Sequence, residues 1–252
     1  MRMQPTNQIW IKQVECPLCY EDFPTENIWQ NKVSIAEEYA DLGKKYNGTN
    51  PLFYSVWVCP NCYYADLRGD EFLNTGKIND EAFEEDYSIL KMVAEGEDFR
   101  QPRTFQLAVI SYKLALLTAK HKKSSAARSG TLNLRLAWLY RSIRKTEQEK
   151  SHIQYALNYY MDAYTQESDP DFGNMSPGGI IYLLGELHRQ IGDVRTAVNF
   201  FQKVVNDKKL NTEPKYIKLA RLQWENLKEN RVGSEVTQVE MDESSNQNNE
   251  EI

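Results

Sequence analysis

The chain holds four cysteines, Cys16, Cys19, Cys59 and Cys62, and all of them fall in two C-P-x-C pairs with 39 residues between the pairs. Two such pairs with no cysteine left over are the pattern of one tetrathiolate metal site, each pair supplying half the ligands. Each pair closes a largely apolar run, Ile9 to Val14 and Phe53 to Val58. A strand can deliver the first thiolate, and a two-residue turn then brings the second onto the same ion. Pro17 and Pro60 preset φ for that turn. After the second cysteine of such a knuckle a glycine is common, because it tolerates positive φ. Here Tyr20 and Tyr63 stand in that place.

Four thiols have other chemical uses. Residues 1–15 contain no apolar stretch that would export the chain, so a cytoplasmic setting is expected and disulfides are disfavoured. A redox dithiol needs one C-x-x-C at a helix N-terminus, not two behind strand-like runs. A mononuclear iron site of rubredoxin type uses the same four thiolates, and spacing does not separate it from zinc. The expectation is one structural zinc per chain, with iron as runner-up.

With 252 residues, 41% hydrophobic and 26% charged, the composition is that of a globular protein of one or two domains. No apolar run approaches the ~20 residues of a membrane helix, so no membrane role is expected. The net charge of −6 is unevenly spread. Residues 1–100 hold 9 Lys/Arg against 18 Asp/Glu, residues 101–231 hold 21 against 12, and the last 21 residues hold none against 6. An acidic, basic, acidic order suggests either attraction between parts of the chain or separate charged partners.

The class expected is α+β and mainly α. Residues 1–72 read as a small β-rich module, with strands at Ile9–Ile11 and over 27–35 and a short helix from Ala36 to Lys45 before the Asn47-Gly48 turn. So few residues bury little apolar surface, and a metal staple would make the module fold. Tyr54, Trp57, Tyr63 and Tyr64 are expected to pack around the knuckles. From Asn79 the period becomes helical, with Asn79 or Asp80 as cap, Ala82, Phe83, Tyr87, Leu90 and Ala94 on one face, and Gly96 as stop.

A small-aromatic-small stripe then appears three times, as Ala108, Tyr112, Ala115, as Ala156, Tyr160, Ala163, and as Ala197, Phe201, Val204. At i, i+4 and i+7 such a stripe lets a second helix approach at the small residues while the ring fills the adjacent groove. Ile181, Leu184, Gly185, His188 and Gly192 precede the third stripe and, joined to it, resemble a tetratricopeptide (TPR) repeat. Ser176-Pro177 would start that helix, and Gly192-Asp193 would turn into the next. Leu136-Ala137 and Tyr140 precede the second stripe with the same internal spacing and about seven inserted residues. A repeat of helix pairs makes a solenoid over 73–231. Thr212 to Asn230, with Tyr216, Leu219, Ala220 and Leu227 inward, would cover its open end.

His121, His152 and His188 are isolated in sequence and read as packed rings rather than ligands. The run Lys120-His121-Lys122-Lys123, with Arg128, lies where cations complement a helix C-terminus, and it could also form a patch for an acidic partner. Residues 232–252 are Ser/Asn/Gln/Glu-rich and are expected to be disordered.

Taken together, the split C-P-x-C pairs, the Asn50 to Cys62 stretch and the helical repeats resemble an uncharacterised bacterial family, a domain of unknown function with a zinc-ribbon-like head and a TPR-like tail. The resemblance covers about residues 10–230. It implies Cys16, Cys19, Cys59 and Cys62 as metal ligands and carries no activity with it. The leading expectation is a non-enzymatic zinc protein that binds a protein or peptide partner of acidic character. Nucleic-acid binding is the alternative, weakened by the acidic surroundings of the cysteines. A redox-sensing or iron site is the third. No nucleophile motif, phosphate loop or H-E-x-x-H points to an enzyme.

Overall fold

A computed structural model describes residues 8–75, 80–94 and 96–229, with the backbone alone over 80–86. The fold is α+β and mainly helical, with small antiparallel strand pairs in the N-terminal region. Asn79, the side chains of Ala82 and Phe83, and the tail over 232–252 lie outside the described residues. The chain divides into two compact units, Met1–Phe172 and Gly173–Ile252.

In the first unit β1 (Ile9–Glu15) pairs with β2 (Asp22–Ile28), β3 (Ser34–Glu38) with β4 (Lys44–Asn47), and β5 (Val56–Val58) with β6 (Ala65–Leu67). A short α1 (Asp70–Leu73) leads to α2 (Asp80–Ala94), α3 (Phe105–His121), α4 (Ala126–Ser142) and α5 (Thr146–Gln166). Residue 72, where the sequence suggests a domain boundary, falls inside this unit. One hydrophobic core runs from Val14 through Trp57, Cys59 and Tyr64 into Leu107, Tyr112, Leu114, Leu132 and Leu139. The β5–β6 hairpin and the 3-10 turn Pro51–Tyr54 before it lie against α3: Tyr112 Oη donates to the Leu52 carbonyl of the turn at 3.2 Å, and the Ala65 N–H of β6 donates to Thr118 Oγ1 at 3.3 Å. That explains why β5 is apolar at every position, since both of its faces are buried. Tyr54, Trp57 and Tyr64 are buried as expected, and Tyr63 is half-buried.

Two local expectations are corrected. The stretch Ala36 to Lys45 is not a helix but most of the β3–β4 hairpin, whose tip carries Leu42 at a φ of 67°. Asp41 closes that tip by accepting the Gly43 N–H, and its carboxylate is fully buried against Arg141 of α4 at 2.5 and 2.9 Å. A tertiary ion pair 100 residues away thus overrides the helix propensity of Ala, Glu and Leu. The second strand also begins at Asp22 rather than Asn27, because the knuckle before it sets a register in which Glu15 faces Asp22. A 3-10 turn at Gln30–Lys32 ends what the sequence reads as one strand over 27–35.

Two members of the basic run at the end of α3 are likewise not surface charge, while Lys120 and Lys123 remain exposed. Lys122 is buried and pairs with Asp66 of β6 at 2.6 Å, also donating to the Glu71 carbonyl. Arg128 is buried too, paired with Glu71 and Asp171 and 3.7 Å from Asp66. Part of the opposed charge of the acidic and basic stretches is therefore spent inside the first unit.

All nine residues of the three stripes are buried. α4 and α5 form an antiparallel hairpin turned at Arg144, whose φ is 60°. In the second unit α6 (Pro177–Gln190) and α7 (Val194–Asn206) form another, turned at Gly192 with φ 88°. Ser176 caps α6 and Asp193 caps α7, each accepting a backbone N–H two residues into its helix. A last helix, α8 (214–229), buries Tyr216, Ala220 and Leu227, and Tyr216 stacks on Tyr182 of α6.

The sequence pairs Ala137 with Gly185, but the structure pairs Gly130 with it. Tyr160 lies against Gly130 as Phe201 lies against Gly185, each ring 2.7 to 2.8 Å from where a Cβ would stand. Gly130 stands 14 residues before Arg144, and Gly185 stands 7 before Gly192. The first hairpin is therefore longer by seven residues in each arm, about two helical turns, which keeps the same face inward. Gly→Ala inside a helix ordinarily stabilises by about 1 kcal/mol. Here Gly130→Ala and Gly185→Ala are each expected to destabilise by about 1–3 kcal/mol in urea unfolding, since the methyl group meets a buried ring. A gain in stability from either would remove the ring-on-glycine packing as a constraint.

Candidate metal centre

Two local structures of one design hold the cysteines. In each, a strand runs into the sequence Cys-Pro-x-Cys-Tyr-x and the next strand begins six residues after the first cysteine, β2 at Asp22 and β6 at Ala65. The first is closed by Cys16 N–H to the Glu21 carbonyl at 3.0 Å and by Tyr20 N–H to the Cys16 carbonyl at 2.9 Å. The second repeats this with Cys59 to Tyr64 at 2.9 Å and Tyr63 to Cys59 at 2.9 Å. To return its N–H to the cysteine carbonyl four residues back, the tyrosine enters the left-handed region. Tyr20 has φ 59° and Tyr63 has φ 60°. The substitution of Tyr for Gly thus leaves the turn geometry intact.

A left-handed conformation costs an L-residue roughly 1–2 kcal/mol. Tyr20 is 74% exposed and has little packing to lose, so Tyr20→Gly is expected to raise stability by about 1 kcal/mol. Tyr63 stacks on Tyr87 at 6.0 Å and meets Phe99 edge-on, so Tyr63→Gly should destabilise. Shifts of the same sign in the two urea midpoints would contradict this account of the knuckles.

The two knuckles converge. Sγ of Cys16 lies 3.6 Å from Sγ of Cys62, Sγ of Cys19 lies 3.6 Å from Sγ of Cys59, and all four sulfurs lie within 4.8 Å of one another. Four sulfurs about 2.3 Å from a central ion stand ~3.8 Å apart at the corners of a tetrahedron, so this spacing suits one ion. Cys16, Cys59 and Cys62 are buried and Cys19 is half-buried. Hydrogen bonds from Cys59 and then Cys62 hold the Cys16 thiol far below its usual range. The hydrogen bond with Cys16 in turn pushes Cys59 up to about 12, and those with Cys16 and Cys59 push Cys62 up. Thiols this close stabilise one thiolate at the expense of its neighbours, and a cation held among the sulfurs would favour the ionised form of all four. The sequence-derived ligand set is thus brought together in full.

The histidines lie apart from this cluster. His188 stacks on Phe200 at 5.5 Å with Nδ1 3.2 Å from Asp193, and burial lowers its pKa. His152 lines a groove of about 710 Å³ bounded by α3, α4 and α5. Its ring stacks on Tyr140, and its Nδ1 lies 2.9 Å from Asn133 Oδ1. One signal of this groove is present in the sequence: His152, Tyr155 and Tyr159 share a face of α5 that adjoins the buried stripe.

Residues 9–227 match the family described as an uncharacterized protein conserved in bacteria, DUF2225. The chain is also 26% identical over 239 residues to an uncharacterized protein of Borreliella burgdorferi, an alignment that takes in 75% of this chain and 84% of that one. No solved structure matches. Among the described residues no helix is long and apolar enough to cross a membrane.

Proposed function

Starting from the fact that the chain belongs to the bacterial DUF2225 family, we propose that it is a non-enzymatic interaction protein whose head is stapled by one structural zinc ion. The convergence of four sulfurs within 4.8 Å carries the reading. Cys16, Cys19, Cys59 and Cys62 would hold the ion, which would supply folding free energy rather than reactivity. Four thiolates leave no open coordination position for water or substrate, so metal-assisted hydrolysis has no place there.

The helical hairpins α4/α5 and α6/α7 act in this reading as TPR-like units that present a surface to a protein or peptide in the cytoplasm. Their support is the recurring buried stripe and the glycine that receives its ring in each hairpin. Helix pairs of this kind are used chiefly for binding extended or helical segments. Elemental analysis and an absorption spectrum of the purified protein test the metal. A colourless protein with one zinc per chain is expected, whereas a red, iron-loaded protein from metal-replete cells would replace this reading with electron transfer or redox sensing.

A further inference from the structure

We propose that the groove bounded by α3, α4 and α5 binds an acidic peptide in an extended conformation. The inference rests on the interaction role above and gives that role a place and a ligand class.

Each wall is one helical face. α3 presents Lys113, Leu116, Leu117 and Lys120, at i, i+3, i+4 and i+7, and Lys123 continues the line beyond its end. α5 presents His152, Tyr155 and Tyr159 at i, i+3 and i+7. Leu116 and Leu117 are half-buried, and Tyr155 and Tyr159 remain 53% and 40% exposed. The neighbouring stripe residue Tyr160 is buried, so these two rings are not part of the core.

Charge selects the occupant. Lys122, Arg128 and Arg141 are all paired inside the unit, whereas Lys113, Lys120 and Lys123 are exposed and have no ion-pair partner among the described residues. The acid that lines the groove, Glu167, accepts from the Ser125 hydroxyl and from the Ala126 N–H at 2.6 Å and forms no ion pair with the three lysines, so three positive charges stand against one negative. Asn133 Nδ2 donates to the Ser129 carbonyl, which turns its Oδ1 toward His152 Nδ1–H. His152 Nε2 is then left as an acceptor suited to a peptide N–H. Burial, aided by Lys113, lowers the pKa of His152 and keeps that nitrogen unprotonated at neutral pH.

The dimensions favour a peptide over a nucleic acid. Lys113 and Lys120 are seven residues apart on a helix, about 10 Å, which three residues of extended chain span. Carboxylates two to four residues apart would therefore reach both lysines while an apolar side chain between them meets Leu116, Leu117 and the tyrosines. Affinity for a phosphate backbone grows with the number of charges neutralised, and three lysines offer few.

The test uses the full-length protein and a random hexapeptide library displayed on phage. Selected peptides should carry Asp or Glu at two positions two to four apart. Their synthetic versions should bind Lys113→Glu/Lys120→Glu about tenfold or more weakly than wild type, and should lose affinity with added salt. Both lysines are exposed, so the variant should melt with the wild type. Peptides that show no acidic preference, or that bind the variant equally, would overturn the groove assignment and leave the interaction role standing elsewhere. Selection of no peptide at all would overturn both. Binding of a (dT)20 oligonucleotide that disappears in the same variant would give the groove to nucleic acid instead.

Discussion

Stripping the metal with a chelator at neutral pH is expected to abolish hydrogen-exchange protection across β1, β2, β5 and β6 and to weaken it along α3. Structural zinc contributes apparent folding free energy of roughly 10–16 kcal/mol in finger peptides, as much as the whole stability of many domains. The cysteines that would hold it here are not peripheral. Cys16 and Cys59 have no solvent exposure and belong to the core cluster that continues through Tyr64 into Tyr112 and Leu114 of α3. Without the ion, that core would hold mutually repelling thiolates or hydrogen-bonded thiols in place of a closed site. Cys59→Ser should reproduce the effect without chelator. Unchanged exchange in both cases would mean that apolar packing alone holds the head.

Lys122→Met should cost about 3–5 kcal/mol, because it leaves the carboxylate of Asp66 buried and short of its 2.6 Å partner. Arg128 is 3.7 Å away and the Leu67 N–H remains bonded, so the charge is only partly compensated. Burial already raises the Asp66 pKa in spite of Lys122, and removing the lysine raises it further. A carboxyl whose folded pKa lies above its unfolded value near 4 favours the folded state most below that value, and the benefit fades as pH rises through the folded pKa. The variant should therefore be closest to wild type near pH 4 and furthest from it above neutrality. The control is Lys44→Met, which breaks an exposed pair with Glu38 and should cost no more than about 1 kcal/mol at any pH. Equal losses for the two substitutions in urea unfolding would contradict the buried ion pair.

The cysteine cluster was legible because the spacing of such a set is a local property: two C-P-x-C pairs and the apolar runs before them contain it. The left-handed Tyr20 and Tyr63 were not, since the usual expectation of glycine describes the lowest-strain residue and the returning hydrogen bond to Cys16 or Cys59 admits another. Helix faces were legible too, and every residue of the three stripes is buried. What the chain could not show was which distant residue each element meets. Ala36 to Lys45 reads as a helix until Asp41 is seen bonded to Arg141. Lys122 and Arg128 read as surface charge until Asp66 and Glu71 are placed beside them. Gly130 escaped notice because the sequence offered Ala137 at the expected spacing, and only the position of the Tyr160 ring separates the two.

Metal content of the wild type, Cys16→Ser and Cys59→Ser, measured by native mass spectrometry on protein purified without chelator, tests the shared site directly. The account predicts one zinc ion per wild-type chain and none in either variant, because each knuckle supplies half of a single coordination shell. Retention of a full ion by either variant would show that the two knuckles do not share it.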